Sequence, residues 1–269
     1  MVLRVIKNNQ IFKSSAIILL SSFFISIYNI SQLTNYKISN FSLSHFIIYN
    51  YGYLNPLSID SLIPVIIWIF PLLLLIYFLG DSIYDSIFNK SIYVFTRTDK
   101  RMKWFLKQSI KLFFNVFFFY VLYFFATILV GFINNLHVIT LSDVLVILNI
   151  FLHHVFGSYI LLLLITLFSF YIKIVYSYIT VLSMYIFLLM ITGIIYEYLP
   201  SYITVIKWLP TTQFLFIWHE DSLLNDFRNA LFVNSLEGFD YIFSFIYYSI
   251  FLLLIMVFSL RKVNKIDIL

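Results

Sequence analysis

Residues 112–133 read LFFNVFFFYVLYFFATILVGFI, a continuous run without a charged side chain. A helix needs roughly 20 mostly apolar residues to cross the hydrocarbon core of a bilayer, which is about 30 Å thick. Such a helix satisfies its own backbone hydrogen bonds where water is absent. The run therefore predicts a membrane-spanning helix, and other parts of the chain repeat the pattern.

The composition of the whole chain agrees with this prediction. Of its 269 residues, 62% are hydrophobic and 11% are charged, and the mean hydropathy is +0.97. A soluble domain carries about 25% charged residues. These values exclude a soluble enzyme, a nucleic-acid-binding protein and a disordered chain. There is no cysteine, which excludes disulfides and thiolate chemistry.

Five further apolar runs bring the predicted spans to six. Barrel strands would instead alternate over about ten residues, so the sequence predicts one all-α membrane domain over residues 1–269. The beginning of the fourth span is open and could lie as early as Val144, and only Lys173 separates the fourth span from the fifth. The predicted spans are residues 14–31, 62–80, 112–133, 155–172, 174–195 and 241–260.

The basic residues orient these spans. Lys and Arg accumulate on the cytoplasmic side of membrane proteins. With both termini cytoplasmic, only Lys37, Lys207 and Arg228 of the 17 basic residues would lie outside. The sequence therefore predicts six spans with both ends inside.

The apolar stretch 202–218 competes for a seventh span. A crossing there would place Lys207 in the bilayer, where a charge is costly, and would move the basic C-terminus outside. Pro210 also prevents an uninterrupted hydrogen-bonded helix. We expect a broken helical hairpin that dips into the outer face between spans five and six, with Trp208 and Trp218 at the membrane–water boundary. A short helix over 223–231 is expected beside it.

The segment 81–111 is the most basic connection between spans. Thr98 or Asp99 can cap the helix that follows, and Lys100, Lys103, Lys107 and Lys111 then recur at helical spacing beside an apolar stripe. The pattern predicts an amphipathic helix that lies at the cytoplasmic surface and enters span three. Two roles stay open, an anchor on anionic lipid and a docking element for a cytosolic partner. Residues 2–13 similarly predict a short interfacial helix or an ordinary charged flank.

With these boundaries, no predicted span interior contains Asp, Glu, Lys, Arg or His. Carriers driven by protons or ions usually place such groups in the bilayer, although Na⁺ coupling through backbone carbonyls stays possible. The chain also lacks a G-x-x-x-x-G-K-[ST] phosphate-binding loop. If it moves a substrate uphill, another subunit is expected to supply the energy.

The five histidines do not predict a metal site, because zinc needs three or four converging ligands. His153 and His154 are adjacent and would point about 100° apart on a helix. Together with His45, His137 and His219, they fall on the predicted outer side. We expect these histidines to lie at the membrane–water interface. No set of polar residues predicts a membrane enzyme.

The topology and one motif resemble a known family. Six spans, a broken hairpin between spans five and six, and the basic turn Arg97-Thr98-Asp99-Lys100-Arg101-Met102-Lys103-Trp104 are similar to the permease of a type-2 ATP-binding-cassette exporter. A similar turn occurs in small Gram-positive permeases for bacteriocin export or resistance. The resemblance implies a multi-pass protein of the bacterial cell membrane that exports hydrophobic or antimicrobial peptides.

The resemblance also implies partners and a coupling site. Two permease subunits would assemble with two cytosolic ATPase subunits, and ATP and Mg would be bound by those partners rather than by this chain. A coupling helix at about 93–103 would receive the ATPase, and external helices would occupy about 201–237. The implied coupling residues are Thr96, Arg97, Thr98, Asp99, Lys100, Arg101 and Trp104.

Five residues are candidates for the pathway or its gate: Pro64, Pro71, Trp208, Pro210 and Trp218. Pro64 and Pro71 could each remove a backbone hydrogen bond and kink span two, either to shape a translocation seam or merely to improve packing. The dipping hairpin could open as an outward gate or serve as a passive lid. An alternative function is a stand-alone bacteriocin-immunity membrane protein that needs no ATPase.

Overall fold

Six long helices carry the fold. The structure, a computed structural model, describes residues 10–33, 42–54, 62–89, 101–138, 140–231 and 233–265. All six helices are long and apolar enough to cross a membrane, and the described residues include no strand. This confirms the predicted all-α, multi-span architecture. The helices are α1 (Gln10–Leu33), α2 (Leu62–Leu79), α3 (Arg101–Ile133), α4 (Leu141–Ser169), α5 (Ile174–Tyr198) and α6 (Tyr241–Asn264).

The two ends of the bundle differ in charge and covering. At the basic end, α3 begins with Arg101 and Lys103, and the Lys262 ammonium lies 4.5 Å from the ring centroid of Tyr171. At the opposite end, which we call the capped end, residues 42–54, 200–231 and 233–240 pack against the helices. The 42–54 insert consists of an α-helix, Leu43–Ile47, followed by a π-helix, Ile48–Gly52.

Helices α1 and α3 run parallel and are joined by buried hydroxyls. The Ser22 Oγ donates to the Tyr123 carbonyl oxygen at 2.6 Å, and the Ser26 Oγ donates to the Thr127 Oγ1 at 2.9 Å. Small hydroxyl side chains let helices approach closely in a membrane and bond across the contact. The Tyr51 hydroxyl reaches the same Thr127 Oγ1 at 2.5 Å and so ties the insert to both helices.

The fourth helix begins close to the earlier of its two predicted starts. The sequence left the start open between Val144 and Val155, and α4 starts at Leu141 because Thr140 and Asp143 form a capping box that satisfies the first backbone N–H groups. The earlier start places His153 and His154 near the middle of α4. The prediction that no span interior holds an ionisable side chain is therefore wrong for these two residues.

The remaining helices cover their predicted spans to within a few residues, except that α3 begins at Arg101 instead of Leu112. Helix α3 is continuous from its basic first turns into the span, as expected for the amphipathic segment. Pro64 lies in the first turn of α2, where its missing N–H removes no intrahelical bond, so only Pro71 interrupts the helix. The predicted turn 96–100 and most of the N-terminal segment 2–13 lie outside the described residues.

Candidate functional site

The segment 200–219, which we call the broken segment, forms no α-helix. It consists of three short 3₁₀ helices, Pro200–Trp208, Thr212–Phe214 and Phe216–Trp218. As predicted, it does not form a continuous helix. Every residue from 211 to 219 is buried, so the second half of the segment lies inside the protein rather than above it.

Side chains within the broken segment satisfy its own backbone. The Thr212 hydroxyl donates to the Ile206 carbonyl oxygen at 2.8 Å, and the Gln213 Nε2 donates to the Lys207 carbonyl oxygen at 2.6 Å. Irregular backbone at membrane depth is tolerated only where protein or water covers its polar groups. These bonds, together with the burial, explain how a non-helical segment can pack among spanning helices.

Two glycines make room for the broken segment because they carry no side chain. A Cβ at Gly157 of α4 would lie 2.4 Å from the Phe214 Cζ, and a Cβ at Gly52 of the insert would lie 2.7 Å from the Phe216 Cβ. Both distances are far shorter than any carbon–carbon contact at optimal separation, about 3.5–4.0 Å. The absence of a side chain at these two positions is therefore a steric requirement of the buried segment.

A pair of histidines joins α4 to the end of the broken segment. The rings of His153 and His219 lie 5.4 Å apart. The His153 Nδ1–H donates to the Asn149 carbonyl oxygen at 2.7 Å, while its buried Nε2 has no hydrogen-bond partner among the described residues. His219 donates from Nδ1 to the Phe216 carbonyl oxygen at 3.2 Å and accepts at Nε2 from the Ser244 hydroxyl at 2.8 Å. Burial lowers the pKa of His219 well below its usual range.

Arg228 anchors the rest of the capped end. This side chain is 6% exposed, and its guanidinium donates to the carbonyl oxygens of His219 and Asp221, each at 2.6 Å. The Tyr241 hydroxyl donates to the Asp221 carboxylate. Arg228 belongs to the helix Asn225–Leu231, which matches the short helix expected there. Arg228, one of the three basic residues that the sequence placed on the outer side, therefore has a structural role.

A cavity lies at the capped end, between α1, the insert and α2. Its volume is about 220 Å³. None of the described residues that line it is charged, and they are mainly aromatic or carry a side-chain amide. We call it the amide cavity. Its lining residues are Tyr28, Asn29, Gln32, Tyr49, Asn50, Tyr53, Leu54, Pro64, Ile67 and Trp68.

Trp68 separates this cavity from a much smaller pocket deeper in the bundle. The Trp68 Nε1–H and the His154 Nε2–H both donate to the Tyr51 carbonyl oxygen, at 3.2 Å and 3.1 Å. The inner pocket is lined by Trp68, Pro71, His154 and Phe214, among others. The cavity, the partition and the broken segment therefore meet at one place in the bundle.

A cluster of serines, a histidine and an aspartate caps the N-termini of two helices. The Asp143 carboxylate accepts from the hydroxyls of Ser42 and Ser44 and from the Thr140 backbone N–H at 2.9 Å. The His45 Nδ1 lies 2.8 Å from the Ser42 Oγ and 3.2 Å from the Ser42 backbone nitrogen. Because these groups satisfy two helix N-termini, the cluster is explained without a hydrolytic role.

The five candidate pathway residues take different positions. Pro64 lines the amide cavity, Pro71 lines the inner pocket, and Pro210 lines a small apolar pocket beside Gly157. Trp208 is 59% exposed, as an interfacial ring would be. Trp218 is 1% exposed and stacks on a tyrosine of α5 with ring centroids 5.5 Å apart, so it contacts protein rather than the headgroups that were expected beside it.

Of the candidate coupling residues, only Arg101 and Trp104 lie in the described part of the chain. Arg101 opens α3, and Trp104 is half-buried against the bundle. Lys103, Lys107 and Lys111 are exposed on the same helix. The residues Thr96, Arg97, Thr98, Asp99 and Lys100 lie outside the described residues.

The histidines are more deeply placed than expected. His153, His154 and His219 are buried, whereas the sequence suggested interfacial positions. No group of three or more His, Asp or Glu side chains in the described ranges could hold a metal ion. Gly52, Gly157 and Trp68 were missed altogether. An isolated glycine in an apolar helix often marks a close packing contact, so Gly157 carried a usable signal.

The chain matches no protein-family model, no curated protein and no solved structure. Its function must therefore be inferred from its own residues and their geometry.

Proposed function

We propose that the chain is the membrane subunit of an ATP-driven exporter in the bacterial cell membrane, with both termini cytoplasmic. It would work with a second permease subunit and with cytosolic ATPase subunits that bind ATP and Mg²⁺. The substrate class that the resemblance favours is a hydrophobic or antimicrobial peptide. The six long apolar helices give the membrane domain that this role needs.

The buried broken segment is the observation that carries the proposal. A protein that moves a substrate across a bilayer needs a closure that can open without unfolding a helix. Short 3₁₀ helices seated on Gly52 and Gly157 fill the capped end of the bundle. Hydrogen bonds at Trp208 and His219 tie them to neighbouring elements. Such a plug is suited to displacement as one unit, because its internal bonds move with it.

Features of the basic end support the proposal that a separate chain supplies the energy. Helix α3 starts there with exposed Lys103 and Lys107 and runs unbroken to the capped end. A partner that pushes on the start of α3 would act on the same helix that holds Thr127 and the insert. The predicted docking element, residues 94–104, leads directly into this helix.

Co-purification tests the proposal. The tagged chain, extracted from its native membranes in mild detergent, should bring a vanadate-sensitive ATPase with it. Reversing the charges of Arg97 and Arg101 together to Glu should abolish that association, since the turn is the proposed contact. The matched control is K107E/K111E, which makes the same charge change on exposed residues further along α3 and should retain the ATPase. Failure to recover any ATPase, or equal recovery with both double variants, rules the proposal out.

Cysteine labelling tests the orientation. The chain has no cysteine, so single replacements report one position each. Glu220→Cys, exposed at the capped end, should react with a membrane-impermeant maleimide on intact cells. Lys265→Cys should react only after permeabilisation. Labelling of Lys265→Cys from outside would reverse the proposed topology.

A proton-driven carrier is the second candidate, and one observation favours it. The His153 Nε2 is buried in the middle of α4 without a hydrogen-bond partner among the described residues, and intramembrane ionisable groups often serve proton transfer. Transport in inverted vesicles separates the two candidates. Uptake driven by a proton gradient without ATP, and lost in His153→Gln, would replace the exporter proposal.

A further inference from the structure

The amide cavity combines a limited volume with an uncharged, amphipathic lining. A cavity of about 150 Å³ lined by apolar side chains can hold a benzene molecule, so a volume of about 220 Å³ accommodates one large side chain with adjoining backbone. None of the described lining residues is charged. A charged group brought there would lose its hydration without gaining an opposite charge from these residues.

The lining offers peptide-like hydrogen-bonding groups in a fixed arrangement. The Asn29 Nδ2 donates to the Asn50 Oδ1 at 2.8 Å, and the Asn50 Nδ2 donates to the Phe46 carbonyl oxygen at 2.8 Å. Each amide nitrogen carries a second hydrogen. Both asparagines are only 7% exposed, so their geometry is set by the protein before a ligand arrives.

Aromatic rings form the apolar part of the wall. The rings of Tyr49 and Tyr53 are stacked with centroids 5.6 Å apart, and Tyr28 and Trp68 face the same space. The Trp68 N–H is already bonded to the Tyr51 carbonyl oxygen. Because the amides are partly used and the indole N–H is used, the cavity suits a ligand with much apolar surface and few polar groups better than a sugar ring.

We propose that the amide cavity binds an uncharged apolar segment of peptide. One aliphatic or aromatic side chain lies among the tyrosine and tryptophan rings, and the backbone amides beside it bond to Asn29 and Asn50. This inference rests on the proposed export function and narrows its substrate class. It also gives Trp68 a position between the bound segment and the inner pocket that contains Pro71 and Phe214.

Equilibrium dialysis tests the site. The probe is radiolabelled N-acetyl-leucyl-leucinamide, and the protein is held in phosphatidylcholine nanodiscs without ATPase or nucleotide, with empty nanodiscs as the blank. The key variant is Ile67→Trp, which fills the cavity. Its matched control is Ile66→Trp, the neighbouring isoleucine of α2, which is 56% exposed and does not line the cavity. Thermal unfolding of both variants reports whether the fold is kept.

The expected result is saturable binding that Ile67→Trp weakens roughly tenfold or more, a loss of at least about 1.4 kcal/mol, while Ile66→Trp binds like the unaltered protein. If Ile67→Trp fails to fold, Tyr28→Leu replaces it, since Tyr28 is 42% exposed and loses only its ring. Excess N-acetyl-lysinamide should not displace the probe.

Three results would overturn the inference: no saturable binding, equal binding by the cavity and control variants, or displacement by methyl glucoside at lower concentration than by unlabelled dipeptide. The last result would assign the cavity to sugars. Because the assay needs no ATPase, its outcome is separate from that of the exporter test. Dipeptide binding without any co-purified ATPase would support the peptide-binding cavity and rule out the exporter. Co-purification of the ATPase without dipeptide binding would rule out only the peptide-binding cavity.

Discussion

Helices α4 and α5 follow each other in the chain and are similarly apolar, yet they have opposite surroundings. Of the most apolar stretch of each, 72% is buried inside the protein in α4 and 28% in α5. Helix α4 packs against α3, α5, α6, the insert and the broken segment, whereas α5 packs mainly on α4 and on Pro200–Trp208. Hydropathy thus identifies a span but does not tell which side chains face lipid and which face protein.

The largest expected effect comes from adding the same bulk to each helix at a similar distance from the basic end. Ile165 of α4 is 0% exposed and Ile179 of α5 is 56% exposed. Ile165→Trp should destabilise the protein by about 3 kcal/mol or more, because overpacking a filled core strains its neighbours. Ile179→Trp should change stability by less than about 0.5 kcal/mol. Thermal unfolding in detergent, followed by size-exclusion chromatography, measures both, and equal losses would mean that α5 is also enclosed by protein.

The next effect probes the glycine that lets α4 accept the broken segment. Gly157→Ala should cost about 1–3 kcal/mol, because its Cβ would overlap the Phe214 ring. Combining it with Phe214→Leu should recover part of that loss, since neighbouring sites are not additive. Strict additivity in the double variant would show that the two residues do not touch. Ser183→Leu on the exposed face of α5 is the control and should be nearly neutral.

A smaller effect is expected at the start of α4. Asp143→Ala removes the acceptor for Thr140, Ser42 and Ser44 and should cost about 1–2 kcal/mol, the usual range for a lost helix cap. Lys173, the N-cap residue of α5, makes no side-chain cap bond, so Lys173→Ala should have little effect. The same unfolding assay measures both, and a neutral Asp143→Ala would mean that the insert and α4 are held together by other contacts.

The smallest effect is a dependence of stability on pH. Burial lowers the pKa of His219 from its ordinary value of 6.5, so below that pH the unfolded chain binds the proton more readily than the folded one. Stability should be complete above about pH 6.5 and fall as the pH drops, by at most about 1.4 kcal/mol per unit for this group. His219→Gln should make the decline shallower than in the unaltered protein. An unchanged slope in His219→Gln would place the acid sensitivity elsewhere.

The sequence predicted the six helices because each one is encoded locally by an apolar run of sufficient length. It left the start of α4 open between Val144 and Val155, since Thr140 and Asp143 lower the local hydropathy while they cap the helix. It also predicted the break near Pro210 from proline chemistry, and the structure shows that interruption. The burial of Trp218 could not be predicted from the sequence, because an indole ring is equally compatible with the headgroup region and with a protein interior.

Less of the site than of the fold could be predicted from the sequence. The amide cavity brings together residues of α1, the insert and α2 that are individually unremarkable. Pro64 and Pro71 were selected as kinks, but their common feature is position, since each lines a pocket on one side of Trp68. No pattern within α2 indicates that Trp68 bonds to the Tyr51 carbonyl oxygen, because that contact depends on the tertiary arrangement of two distant segments.

Helix α3 also has a mechanical property that follows from its length. Its 33 residues make a rod of about 50 Å, and the hydrocarbon core of a bilayer is about 30 Å thick. It contains no proline and therefore no obvious point at which to flex. A tilt of about 10° about one end would carry the other end through roughly 9 Å. A tilt that starts near Arg101 would thus appear as a displacement of several ångströms at the hydroxyl contacts of Thr127.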